Sequence, residues 1–145
     1  MAHYMKHSKT AIGHLGKHYE RGKDESSEYV KFGNPEIDPQ RTHLNYNLAP
    51  QHNHMEFIKQ RLSEVYCLNR KDVNVMCSWV VTAPKDLDPK QQDDFFKESY
   101  KFLENRYGKE NVISSYVHLD ETTPHMHFAF IPVVYDKKKD RYKVS

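Results

Sequence analysis

The chain has 145 residues, 37% hydrophobic and 29% charged, which suits one soluble globular domain with its own core. No apolar run approaches the ~20 residues of a membrane span, and the opening Met-Ala-His-Tyr-Met-Lys-His lacks the apolar stretch of a secretory signal. Net charge is +2 but unevenly spread: residues 1–23 and 137–145 each carry +4, and the body between them carries −6. Basic ends around a more acidic body suit either a polyanionic partner or simple solvation of charged termini.

Cys67 and Cys77 have neither metal-ligand spacing nor a disulfide framework, so they read as reduced thiols of a cytoplasmic protein, Cys77 buried. Residues 11–22 read as a short helix or an irregular segment, weakened as a helix by two internal glycines. If helical, they place His14 and His18 on one face and Lys17 and Arg21 on an adjacent one. Residues 23–40, with Gly33-Asn34-Pro35 and Asp38-Pro39, read as a loop. Arg41 to Leu48 alternates and reads as a strand, with Leu44, Tyr46 and Leu48 opposed to His43, Asn45 and Asn47.

Residues 54–66 have Phe57, Ile58, Leu62 and Val65 at helical spacing. Asp72 to Ala83 reads as a strong strand. Asp88-Pro89 then supplies an N-cap with proline at the first helical position. That helix runs to about Tyr107, turns Phe95, Phe96, Tyr100, Phe102 and Leu103 inward, and stops at Gly108. Residues 111–119 and 125–135 make two last strands, expected as a hairpin, and Asp136 to Lys143 is a basic turn opening a further segment. The sum is an α+β domain spanning 1–145. It has an antiparallel sheet of four to five strands, two main helices on one face, and histidines on the opposite face.

The chemistry concentrates in His118-Leu-Asp-Glu-Thr-Thr-Pro-His125-Met-His127, which puts three imidazoles and two carboxylates in ten residues. Side chains alternate along a strand, so His125 and His127 share a face while Met126, Phe128 and Phe130 point into a core. The turn chemistry of Asp120 to Pro124 folds His118 back beside the pair. Three neutral imidazoles leave positions open on a divalent metal, as a catalytic site requires. The plain alternative is a solvated histidine cluster on a polar strand face.

This run resembles the metal motif of the MobV (Mob/Pre) plasmid mobilisation relaxases, within the wider His-hydrophobe-His endonucleases. Two more segments agree in order and spacing. Lys17-His18-Tyr19-Glu20-Arg21 is similar to the family's N-terminal motif with its nucleophilic histidine. Ile37-Asp38-Pro39-Gln40-Arg41-Thr42-His43-Leu44-Asn45-Tyr46 is similar to its second motif. The resemblance implies a relaxase palm that nicks single-stranded or hairpin DNA at the transfer origin of a plasmid or mobile element. It implies a covalent 5′-phospho-histidine intermediate on His18, inside the bacterial cytoplasm, alongside other mobilisation or conjugation proteins. It also implies Mn2+ or Mg2+ on His118, His125 and His127, with Glu121 orienting a ligand or His18. Tyr19 and Tyr46 are the rival nucleophiles, each with a packing or stacking role as the alternative. Lys17, Arg21, Arg41, His43, Tyr46, Lys137, Lys138 and Lys139 are the DNA-contact candidates, against a plain solvated surface. Two other functions fit parts of the pattern. One is a phosphoester hydrolase using a metal-bound water, and the other a non-catalytic nucleic-acid-binding module.

Overall fold

The computed structural model describes residues 2–9, 37–70 and 72–145. A five-stranded antiparallel sheet is its centre. Strands β1 (Ala2–Ser8), β2 (Tyr46–Asn47), β3 (Asn74–Thr82), β4 (Val112–His118) and β5 (His125–Phe130) lie in the order β1-β3-β5-β4-β2. Two helices pack on it, α1 (His54–Glu64) and α2 (Gln92–Tyr107), and a separate hairpin follows, β6 (Val133–Asp136) and β7 (Arg141–Val144).

β5 is central and has every residue buried, as does β4. Its alternation sorts two cores. Met126, Phe128 and Phe130 face Cys77, Val117 and the α2 residues Phe96 and Leu103. Ala129 and Ile131 face Met76, Ile113, Tyr116 and the α1 residue Ile58. The helices therefore cover opposite faces, which corrects the expectation of both on one. Helical spacing shows which stripe of each helix is apolar but carries nothing about which face of the sheet receives it. α1 shares the histidine face and covers its far part, where small and aliphatic residues replace the imidazoles.

Local signals explain the helix ends. The Asn53 side chain accepts the Glu56 N–H at 3.0 Å and caps α1. Asp88 accepts the Lys90 N–H at 2.9 Å, with Pro89 opening a 3-10 turn (Pro89–Gln91) that runs into α2. Gly108 ends α2 at φ 95°, a conformation that favours glycine, and a Cβ there would meet Glu110 Oε1 at 2.9 Å.

Phe102, expected inward on α2, is instead exposed, on the outer side of the helix from Phe96 and Leu103. Other expectations change as well. Arg41 to Leu48 is not a strand: Pro39–Leu44 is a 3-10 turn capped by Asp38, and only Tyr46–Asn47 pairs. Asp38-Pro39 is the same cap-plus-proline signature as Asp88-Pro89, and it overrides the polar-apolar alternation that follows. The last long strand stops at Phe130 and restarts at Val133, because Pro132 has no N–H to give a ladder. β6 and β7 then form a hairpin whose turn places Asp140 at φ 50°. Finally, β1 is an edge strand that no β-branched residue announces. Cys77 is buried and both cysteines are free, as expected.

Candidate metal and DNA site

The β4–β5 connection builds the site. His118 ends β4, His125 begins β5, and the two stand opposite each other in register. His127 lies two residues on, on the same face, opposite Tyr116 of β4 and Val80 of β3. The ring centroids are 4.7 Å apart for His118–His127 and His125–His127, and 5.3 Å for His118–His125. One nitrogen from each ring lies within 4.8 Å of the others, and all three residues are buried.

The donor set fits a divalent ion. His125 Nδ1 lies 2.9 Å from the Thr123 carbonyl, which only accepts, so Nδ1 carries a proton and, in the neutral ring, the lone pair is on Nε2. Glu121 Oε2 approaches that Nε2 to 3.4 Å. A lone pair and a carboxylate converging beside two more imidazoles is an arrangement that a cation satisfies. A fixed tautomer held by a carbonyl is what a ligating histidine needs.

Asp120 does something else. It is fully buried; its carboxylate accepts the Thr42 hydroxyl at 2.9 Å and its carbonyl accepts the Asp38 N–H at 2.6 Å. It fastens the 3-10 turn to the exit of β4 and stands outside the group of ligand atoms. Arg41 and His43 are exposed on that fastened turn.

Tyr46 is not brought to the histidines. It pairs with Val117, whose side chain lies in the core under α2, and its hydroxyl donates to Asp93 at 2.8 Å. Burial, then the Asp93 carboxylate, push its pKa up. Lys137, Lys138 and Lys139 are exposed at the β6–β7 turn, where Asp136 accepts the N–H of Lys138 at 3.0 Å. Ile131, where that hairpin departs, is about 13 Å along the strand from His127 at ~3.3 Å per residue. Lys17, His18, Tyr19 and Arg21 lie outside the described residues.

Other residues join the histidine face without a signal in the sequence. The Tyr116 ring stacks 6.5 Å from that of His118, and the His54 ring meets Tyr116 edge-on at 6.0 Å. On the far edge, His7 Nε2 bonds the buried Ser78 hydroxyl at 2.9 Å, and burial lowers the His7 pKa. Only sheet register brings these residues together.

An antiparallel sheet with three buried, converging histidines on adjacent strands defines an α+β domain with a His-hydrophobe-His cluster that could hold a divalent metal. Comparison with known proteins places it further. The family described as plasmid recombination enzyme (Mob/Pre) matches residues 1–145, and the chain belongs to that family. It is 38% identical over 118 residues to plasmid recombination enzyme type 1 of Staphylococcus aureus, covering 75% of this chain and 29% of the relative. It is 35% identical over 137 residues to a plasmid recombination enzyme of Streptococcus agalactiae, covering 86% of this chain and 26% of the relative. The chain thus spans less than a third of these relatives.

Among solved structures, the MobM relaxase domain bound to plasmid oriT DNA with manganese, at pH 6.8, superposes with a TM-score of 0.79 and 31% identity. That match covers 97% of this chain and 75% of MobM's. A second manganese-bound complex of the same domain, at pH 5.5, gives 0.77 and 33%, covering 94% and 72%.

Proposed function

We propose that residues 1–145 form the DNA-nicking domain of a plasmid relaxase, a metal-dependent endonuclease and strand transferase acting on the transfer origin. The carrying observation is the convergence of His118, His125 and His127, with Glu121 against His125. A fold and family shared with a relaxase domain solved on oriT DNA with manganese support it. The cytoplasm, where plasmid DNA resides, is the proposed compartment.

In this reading His118, His125 and His127 hold Mn2+ or Mg2+. When bound, the ion supplies positive charge to the non-bridging oxygens of a phosphodiester. The chain's own residues do the rest. The His125 tautomer is fixed by the Thr123 carbonyl, and Glu121 holds its carboxylate at the site. The neutral His18 imidazole attacks phosphorus in line through its unprotonated nitrogen, the bond to the 3′-oxygen breaks, and the N–H proton that the phosphorylated ring sheds passes through solvent to that oxygen, which leaves as a 3′-hydroxyl. The resulting phosphoramidate is open to a 3′-hydroxyl, so the strand can be rejoined. Neutral imidazole is nucleophilic near pH 7 without a separate base, as its unperturbed pKa is about 6.5. Lys17, Arg21, Arg41, His43 and the Lys137–Lys139 turn are proposed phosphate contacts, which makes DNA binding salt-sensitive.

The test is a denaturing gel that avoids acid. Protein and single-stranded origin DNA are incubated with Mn2+ or with chelator, wild type beside His18→Ala. A manganese-dependent protein–DNA band absent from His18→Ala supports the reading. A band that survives in the variant moves the nucleophile to a tyrosine. Cleavage without a band favours a hydrolase with a metal-bound water, and DNA binding indifferent to chelator, without cleavage, favours the binding module.

A further inference from the structure

β4 reaches the metal site beside an edge strand only two residues long, yet its outward N–H groups are paired well beyond that length. Tyr46 and Asn47 face Val117 and Tyr116 in the ladder. After this short pairing the main chain gives one more bond, from the Leu48 N–H to the Ser115 carbonyl at 2.9 Å, and otherwise leaves β4, into the Pro39–Leu44 turn before it and towards Ala49 after it. Two asparagine side chains take over there. Asn47 Oδ1 accepts the Ser115 N–H at 2.8 Å and the Ala49 N–H at 3.1 Å. Asn45 Oδ1 accepts the Leu119 N–H at 2.7 Å. His118, fully buried, sits immediately before Leu119.

We infer that Asn45 and Asn47 act as a side-chain extension of the edge strand, and that Asn45 is the positioning residue that sets metal ligand His118. An amide carbonyl on a side chain offers the same acceptor as a backbone carbonyl, so it can close a ladder where the main chain has left it. The Leu119 N–H is the first beyond the strand, and its partner decides whether the β4 backbone stays extended through His118 or turns early. Below it, Asp120 is held by Thr42 and Asp38 from the same segment. The second motif therefore grips residues 119 and 120, Asn47 just after it grips 115, and the imidazole of 118 is left aimed across at 125 and 127. Asn47 grips three residues upstream of His118, so it secures the strand without setting the ligand. The Asn45 amide nitrogen is buried with no hydrogen-bond partner, so the acceptor is the half of the side chain that this grip uses.

The inference rests on the metal-site reading above, and the test separates the two. Mn2+ affinity by titration calorimetry and exchange of the Leu119 amide by NMR are measured for wild type, His118→Ala, Asn45→Ala, Asn45→Asp and Asn47→Ala, with thermal melts alongside. Asn45→Ala is expected to expose the Leu119 amide and weaken Mn2+ binding by about 10-fold, the range of lost outer partners of metal ligands. Asn45→Asp keeps the acceptor and is expected to keep Leu119 protected and Mn2+ held at least as tightly as wild type. It also carries the test if Asn45→Ala does not fold. Asn47→Ala is expected to lower the melting temperature while leaving Mn2+ affinity near wild type. If His118→Ala loses Mn2+ but Asn45→Ala binds it as wild type does, the positioning role is overturned. An unprotected Leu119 amide in a folded Asn45→Asp overturns it too. If His118→Ala itself binds Mn2+ normally, the metal-site reading fails first.

Discussion

The Thr42 hydroxyl donates to the buried Asp120 carboxylate at 2.9 Å across 78 residues of sequence, and so ties the second motif to the metal motif. Asp120 thereby has a structural role, because its carboxylate pins the Pro39–Leu44 turn to the exit of β4. Thr42→Val deletes a hydrogen bond to a fully buried acceptor and leaves it short of a partner, which is expected to cost about 2 kcal/mol of stability. Urea unfolding measures it. A variant as stable as wild type would mean that Asp120 finds its stabilisation elsewhere.

The proposed metal site draws on three rings from two strands. His125→Ala and His127→Ala each remove one of three imidazoles and are expected to weaken Mn2+ binding at least 10-fold, read by the EPR signal of free Mn2+. His18→Ala, which in the proposed reading removes the nucleophile and no ligand, is expected to bind Mn2+ as wild type does. Undiminished occupancy in the two strand variants would remove the three-histidine site.

Tyr46 lies in the ladder on the side away from the histidines, with its hydroxyl on Asp93 at 2.8 Å. Tyr46→Phe is expected to leave the manganese-dependent DNA adduct intact and to cost about 1 kcal/mol, the usual net loss of one hydrogen bond. Loss of the adduct in that variant would restore Tyr46 as a nucleophile.

His7 gives a pH dependence with a definite sign. Burial lowers its pKa from 6.5, so the folded chain resists protonating it more than the unfolded chain does. Its contribution to stability is present above pH 6.5 and is lost as pH falls towards the lowered value. His7→Gln can still reach Ser78 but does not titrate. The fall in melting temperature below pH 6.5 is therefore expected to be shallower in His7→Gln than in wild type. Parallel curves would show that His7 contributes nothing to the acid limb.

Alternation and capping are local, and they were enough for much of this protein. The face shared by His125 and His127, the burial of Met126, Phe128 and Phe130, the Asp88-Pro89 start and Gly108 stop of α2, and the hairpin that returns His118 to His125 all follow from side-chain period and backbone chemistry within a few residues. The motif order carried the family. What sequence could not supply depends on contacts between distant segments. It could not tell that α1 and α2 cover opposite faces, because an apolar stripe does not say which surface it meets. It could not show that Ala2–Ser8 closes the sheet edge, because pairing with β3 supplies the hydrogen bonds that propensity does not. Nor could it separate Asp120 from Glu121, neighbours in one turn, until the fold brought Thr42 to one and His125 to the other. Short-range sterics write the elements into the chain, whereas the partner of each buried polar group is chosen only when the strands come into register.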